Sequence, residues 1–524
     1  MVVSFREKNN FPIDIHIDNE SIFKIVCKKG HSEIAKWLYY LGEQKTNSQI
    51  NIHANNEYAF QWACGEGHLK VAEWLHHLGT EINSPIDIHA DSEYAFEYAC
   101  SNGHLGVAEW LYRLGEKLNS PIDIHSNNEY VFSLACLDGH LEVAKWIHCL
   151  GKKINSPIDI HVGTGPAFAN ACKSGHLEVA KWLYSLGIDI HINNESAFRR
   201  TCKNGHLVIA KWLYDLGVQI NSPIDIHANN EYAFEFACRN RHLEVAKWLY
   251  QQGKQMNSPI NIHADNEYAF EWSCGNGHIE IAKWLYRQGI KLNSPIDIHA
   301  DNEYAFKWAC HYGHSKIAKW LYYLGKKINS PINICADNDF AFRYVCMNGH
   351  LEIAKWLYNL GIKWNSTINI HTDNDIIFKC VCQNGHLKIA KWLYRLAKKI
   401  NSPINICANN EATFLWVCNN GHLKVAKWLY NLRKQINSPI NIHISNEHAF
   451  RCVCKNGHLE IAKWLYHLGN KKKSPIDIHF GNEYAFRYAC INNHAEIATW
   501  LCTLDNRYYV CINSTTKKID CWIN

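Results

Sequence analysis

The chain has 524 residues, 47% of them apolar and 20% charged, with a formal net charge of +5. Its 20 tryptophans and 26 tyrosines exclude intrinsic disorder, and +5 is too small a charge at this length to argue for nucleic acid by itself. No apolar run approaches the roughly 18 residues of a bilayer span, and the opening MVVSFREKNN lacks a signal-peptide core, so the sequence reads as soluble, intracellular and not secreted.

Self-similarity decides the organisation. Gly-His, or a close variant, recurs with its histidine at His31, His68, His104, His140, His176, His206, His242, His278, His314, His350, His386, His422, His458 and His494. The gaps are 37, 36, 36, 36 and 30, then 36 eight times. After a lead (1–10), an array occupies 11–505, followed by a C-terminal cap (506–524). Its fourteen units span about 11–48, 49–84, 85–120, 121–156, 157–187 and 188–222, then seven of 36 residues from 223 to 474, and 475–505.

Each unit predicts two helices. In the second unit the first helix runs from about Asn56 to Cys64, with Asn56 as N-cap and Glu57 in the first turn. Ala59, Phe60 and Ala63 make one face apolar. Gly-Glu-Gly breaks the helix, and a second follows from about Leu69 to Leu78, with a stripe of Leu69, Ala72, Trp74, Leu75 and Leu78. Pro85-Ile86-Asp87-Ile88-His89 alternates as a short extended linker does. Such short helix pairs bury their apolar faces only by stacking, so the expected fold is an all-α helix-turn-helix solenoid, an elongated rod. Two breaks interrupt the pattern: Gly163-Thr164-Gly165-Pro166, and Leu186 to His191, which lacks about six residues found after other second helices, such as Lys152 to Pro157. A local change of curvature is the expected consequence. Tyr508 to Ile512 and Lys518 to Trp522 predict a small hairpin over the last unit's exposed face.

The run A-F-x-x-A-C-x-x-G-H-L-E-V-A-K-W-L-Y-x-L-G resembles an ankyrin repeat. Its landmarks are the small pair Ala63-Cys64, the Gly-His-Leu that opens helix two and the Leu-Gly that ends it. The Trp-Leu-Tyr ending, the Asn-Ser-Pro-Ile-Asp-Ile-His linker and the 36-residue period further resemble arrays of giant DNA viruses of amoebae (Mimivirus-like). Tyr58-Ala59-Phe60-Gln61 replaces the family's Thr-Pro-Leu-His, so its Thr–His bond is not carried over. The finger segment is shorter and lacks its Asp-x-x-Gly turn. The resemblance implies a protein-binding scaffold and, in its narrower form, an intracellular host protein as partner. Some viral relatives end in an F-box-like segment; nothing after Leu504 looks like one.

Candidate chemistry is sparse. Fourteen of the 22 cysteines share one helix-one position, from Cys27 and Cys64 to Cys454 and Cys490. One helix layer, about 10 Å, separates neighbours, too far for a disulfide, so free buried thiols in a reducing compartment are expected. The Gly-His and Ile-His ladders (His16, His53, His89, His125 onward) read as turn-stabilising hydrogen bonds rather than metal ligands. Cys335 and Cys407 replace the linker histidine in two units. The Trp-Leu-Tyr stripe, from Trp37 onward, reads as core rather than a base-stacking platform. No catalytic motif, metal site or cofactor site is found, and the chain is expected not to be an enzyme.

Positions that the scaffold leaves variable point to partners. One follows the small pair: Lys173, Lys203, Arg239, His311, Met347, Gln383 and Lys455 are its members of interest. The other follows the helix-one phenylalanine and includes Arg343, Lys379 and Arg451. In ankyrin-like arrays the first borders the concave recognition surface. Charge is segregated: residues 1–191 hold 15 Lys/Arg against 23 Asp/Glu, and residues 300–479 hold 24 against 11. The basic half suits an acidic protein, with nucleic acid as the weaker alternative and head-to-tail self-association as a further outcome. An adaptor for a host ubiquitin ligase is the remaining alternative.

Overall fold

The computed structural model describes residues 16–42, 49–161, 167–364, 366, 368–406, 411–512 and 519–523. These form 28 α-helices and one two-stranded antiparallel sheet. They divide into two compact units, Met1–Asn261 and Ile262–Asn524. Within each, helices alternate between a first and a second type, as in Ala54–Gly65 and Leu69–Glu81.

The Gly-His joint follows from its hydrogen bonds. Gly67 adopts φ +79°, its N–H bonds the Cys64 carbonyl at 3.0 Å and that of His68 the Ala63 carbonyl at 2.8 Å, a Schellman closure. A Cβ at Gly67 would also lie 2.5 Å from Nδ1 of His104, so the next repeat's ring packs where only glycine leaves room. The second helix is longer than the sequence indicates. Leu69–Glu81 closes on Asn83 at φ 56°, and Pro85 prevents its continuation. The extra residues after most second helices therefore lengthen the helix as well as the linker. Where they are missing, the helix stops at Ser185 and Gly187 turns at φ +94°. The other irregularity, Gly163 to Pro166, lies outside the described residues.

The start of the first helix departs from expectation. Asn55, Asn56 and Glu57 have φ 57°, 56° and 62°, forming one left-handed turn before the right-handed helix. The Asn56 side chain donates to Asp91 Oδ1 of the next repeat at 2.6 Å, and Asn56 lies inside the left-handed turn rather than at a helix cap. The turn recurs, as at Asp91-Ser92-Glu93 and Asp301-Asn302-Glu303. Left-handed backbone costs roughly 1–2 kcal/mol per non-glycine residue, and the compensation comes from neighbouring repeats. The Glu57 carboxylate, 6% exposed, accepts from His53 Nδ1 at 2.7 Å and from the Asp87 N–H of the next linker at 3.2 Å. Ser84 Oγ donates to His53 Nε2 at 2.9 Å. The linker histidine thus joins a carboxylate four residues ahead to a serine in the next linker, and the same bridge recurs at Ser120–His89–Glu93 and Ser330–His299–Glu303.

Phe60, Phe96, Phe306 and their equivalents are fully buried. Before the last repeat they are met by a tryptophan from the following repeat, Phe60 by Trp110 and Phe306 by Trp356, with ring centroids 6.2 and 6.4 Å apart. The tryptophan also contacts the preceding tyrosine, as in Tyr112–Trp146. These rings join repeats; Tyr39, Tyr112, Trp248 and Tyr322 are buried, while Trp110 is half-buried. The linker isoleucines Ile86 and Ile88 are buried on either side of exposed Asp87.

The buried helix-one cysteines are free thiols, with one correction. Burial pushes Cys27 up to about 12 and its equivalents well above the ordinary thiol value, so they remain protonated at neutral pH. Cys490, which ends this ladder, is instead disulfide-bonded and half-exposed. Beside its helix the strand Ile519–Ile523 pairs in register with Tyr508–Ile512.

This hairpin stands where earlier repeats pack against a following repeat. Tyr508 is 3% exposed, stacks on Phe486 at 4.2 Å, and bonds Glu483 and His479. Asp505 Oδ2 meets His479 Nε2 at 3.1 Å, where other linkers place a serine. Tyr508→Ala is expected to cost about 3 kcal/mol and to remove hydrogen-exchange protection from Phe480–Ile491, with earlier repeats retaining theirs.

Candidate interaction surface

One face of the first helices carries an aromatic ladder that sequence reasoning missed. Two residues before the buried phenylalanine and two after it, many repeats place rings: Tyr58 and Trp62, Tyr94 and Tyr98, Tyr268 and Trp272, Tyr304 and Trp308, Phe340 and Tyr344. An i, i+4 pair shares one helix face, and these rings are half-buried. They touch across repeats. Between Ile262 and Asn524, Trp272 meets Tyr304 and Trp308 meets Phe340, each at 6.0 Å, while Phe340 packs on Tyr344 of its own helix at 4.3 Å. In the first, Trp62 meets Tyr98 at 5.1 Å. The signal was present as a pair recurring every 36 residues, but spacing alone does not separate a half-exposed face from a buried one.

The two variable positions flank this ladder. A cation after the buried phenylalanine lies over the first ring of the next repeat: Lys24 over Tyr58, Arg199 over Tyr232, Lys307 over Phe340 and Arg451 over Tyr484, at 5.5, 5.1, 5.6 and 5.1 Å. A cation after the small pair lies against the second ring: Lys28 on Trp62, Lys203 on Phe236 and Lys455 on Tyr488, at 3.2, 4.7 and 5.2 Å. His311 occupies the same place beside Tyr344 at 5.1 Å, and burial lowers its pKa, assisted by His350. At this second position the backbone is tied while the side chain is free to vary. The carbonyls of Lys203, His311, Met347, Gln383 and Lys455 each accept from an asparagine of the next turn, for example Asn348 to His311 at 2.9 Å.

The sequence-derived positions are thus distributed along the array rather than gathered into one cluster. Lys173 is exposed; Arg239 lies over its own Phe236 ring at 5.4 Å. Arg343 and Met347 are half-buried, and Arg343 donates to the Asp337 carbonyl at 3.2 Å. Lys379 and Gln383 come together, lining a recess of about 400 Å³ with Asp373, Asp375, Ile376, Ala412 and Trp416.

Charge at the first position also acts on stability. Glu271 is buried against Asp301 and Glu267; desolvation first, then these carboxylates, push its pKa up to about 8. A raised carboxylate pKa means that the native state holds a proton the unfolded chain releases, so this contribution to stability declines as pH rises from the ordinary carboxylate range towards 8. Glu271→Gln is expected to raise stability by about 2 kcal/mol near pH 7, with the gain shrinking as pH falls from 7 towards 5. Melting curves across that range test it.

Among the described residues no helix is long and apolar enough to cross a membrane, and no group of three or more His, Cys, Asp or Glu is placed to hold a metal. Paired helices joined by tight glycine turns, stacked through rings and linker hydrogen bonds, define a helical repeat solenoid. Family models for ankyrin repeats match residues 60–111, 168–260, 235–332, 270–368 and 342–440, together more than half of the chain. The chain belongs to the ankyrin repeat family. Among curated proteins none matches it. Ankyrin repeats generally mediate protein–protein interaction, and proteins built from them are typically non-enzymatic scaffolds.

Proposed function

We infer that the chain is a non-catalytic scaffold that binds a protein partner through the aromatic and cationic face of its first helices. The observation that carries this reading is the pairing of a regular ring ladder with side chains that change from repeat to repeat. Large half-exposed rings supply contact area, and Arg and Lys beside them supply selectivity. The excess of cations over residues 300–479 favours an acidic partner. The free, buried thiols of the ladder fit a reducing setting, whereas the disulfide at Cys490 does not. The narrower resemblance of linker and Trp-Leu-Tyr ending supports a viral protein acting on a host protein in the cytoplasm. The domain reading is a lead of 1–10, an array of fourteen units over 11–505 and a cap of 506–524.

The test is a quantitative pull-down from host-cell lysate with the intact chain and a variant carrying Arg343→Glu, Lys379→Glu, Arg451→Glu and Lys455→Glu. A protein held by the first and lost by the second, with both folded by circular dichroism, is the expected result. No enriched protein overturns the reading for that lysate. The same ladder also favours a second reading, single-stranded nucleic acid stacked on rings between cations. Capture of only nuclease-sensitive material, lost steeply with salt, would establish that instead.

A further inference from the structure

Two consecutive second helices, Leu387–Lys399 and Leu423–Gln435, carry five and four Lys or Arg and no Asp or Glu. In other repeats a first-turn glutamate pairs with the lysine three residues on. Glu142 meets Lys145 and Glu352 meets Lys355, both at 3.1 Å, and Glu244 meets Lys247 at 2.8 Å. Lys388 stands in that glutamate's place, so Lys391 lacks this partner. One turn on, the same substitution is felt again. Arg113 pairs with Glu109, four residues before it, at 2.8 Å; the residue four before Arg395 is Lys391 itself. Like charges at i, i+4 share a helix face and repel. Among the described residues neither Lys391 nor Arg395 makes a hydrogen bond or an ion pair. Both line a recess of about 380 Å³ between the two helices. Its lining holds three cations, Lys391, Arg395 and Lys398, two amides, Asn431 and Gln435, and no acid. Lys391 is half-buried, and Arg395 and Lys398 are exposed.

We propose that this recess binds an acidic segment of the protein partner, whose carboxylates take the places that Glu352 and Glu109 fill beside the corresponding cations of other repeats. This rests on the scaffold reading above and adds to it a contact on the second helices, rather than on the ring ladder of the first. Lys391 and Arg395 lie one turn apart, with about 5–6 Å between their Cβ atoms, so one carboxylate bridges both and a second pairs with Lys398. The Asn431 and Gln435 amides border the same space and donate to the guest's remaining oxygens. The two rings of the lining offer no stacking platform, because Trp428 already packs against Phe378 and Tyr394, at 6.1 and 6.2 Å. Cations and amides around engaged rings suit carboxylates on a peptide better than bases on a single strand. An anion in the recess also relieves the repulsion between Lys391 and Arg395.

The probe is fluorescein-labelled hexaglutamate, with labelled hexaglutamine as its neutral counterpart, titrated with the full chain by fluorescence anisotropy at low ionic strength. The intact chain is expected to prefer the acidic probe by about tenfold or more. Lys388→Glu restores, at an exposed position, the glutamate that other repeats carry. It should engage Lys391 and weaken binding of the acidic probe about tenfold. Lys471→Glu makes the same change of charge at an exposed site two repeats further on, and should alter binding less than about twofold. Equal affinity for the two probes, full binding by Lys388→Glu, or equal losses in Lys388→Glu and Lys471→Glu would each overturn the proposal. So would labelled hexathymidylate that binds more tightly than hexaglutamate and is weakened by Lys388→Glu, since that result assigns the recess to nucleic acid. A lysate partner kept in full by Lys388→Glu but lost by the four-site variant above would remove this recess from the interface while leaving the scaffold reading in place.

Discussion

Replacing Glu303 by alanine is expected to destabilise its region by about 3 kcal/mol, the sum of two lost acceptor roles and an unsupported turn. The carboxylate is 4% exposed and accepts from His299 Nδ1 at 2.9 Å and from the Asn333 N–H at 2.8 Å. Alanine would leave a buried imidazole N–H and a backbone N–H unpaired. It would also leave Asp301 and Asn302 at φ 46° and 55° with less to hold them there. Glu303→Gln keeps one acceptor oxygen and should cost roughly half as much. Urea titration with hydrogen exchange on the helices Ala300–His311 and Ala336–Met347 measures both. The control is Glu352→Ala: Glu352 is an exposed carboxylate paired with Lys355 at 3.1 Å, and its loss should stay within about 0.5 kcal/mol. Equal effects at the two glutamates would show that the linker bridge adds nothing.

Arg433→Gly is expected to cost about 3–5 kcal/mol, although glycine is the ordinary residue there. Gly325, Gly361 and Gly469 hold the corresponding place, where a Cβ would come within 2.6 to 2.8 Å of a linker carbonyl. Arg433 is 7% exposed and donates to Glu411 Oε1 at 3.1 Å, the Ser438 carbonyl at 2.8 Å and Ser438 Oγ at 3.1 Å. In this repeat the linker residue is Cys407 rather than histidine. The arginine therefore joins the serine and the glutamate that histidine joins elsewhere. In the other such repeat the substitute acts directly, Cys335 Sγ meeting Ser366 Oγ at 3.0 Å. The single Arg433→Gly variant leaves the half-buried Glu411 carboxylate without its arginine. Adding Cys407→His restores the common pattern and should recover most of the loss. Additive destabilisation by the two changes in a double-mutant cycle would refute this coupling.

Both results bear on what could be read without coordinates. A 36-residue recurrence of apolar positions, glycine and histidine dictates paired helices with a tight turn, because only stacked pairs bury such short amphipathic helices. The buried row of phenylalanines, the Gly-His joint and the terminal hairpin were legible for that reason. Asn55-Asn56-Glu57 was misread because Asn before Glu at a helix start satisfies the capping pattern equally well. The left-handed alternative is selected by contacts made thirty residues away, such as that of Glu57 with the Asp87 N–H.

The candidate surface divides along the same line. Lys379, Gln383, Arg451 and Lys455 stood out in the sequence because they vary where the scaffold does not require them. Their relation to the ladder did not, since a ring two residues from a buried phenylalanine has the same spacing whether it faces core or solvent. The absence of a ring at Ile376 and Ala412 was likewise visible as composition. Its meaning came only from tertiary structure, which places several of the variable cations over a ring of the next repeat, as Lys307 over Phe340, and leaves Lys379 and Trp416 lining a recess. Local periodicity determines which residues are buried within a repeat; which side chains meet between repeats depends on the stacking geometry, and spacing along the chain does not encode it.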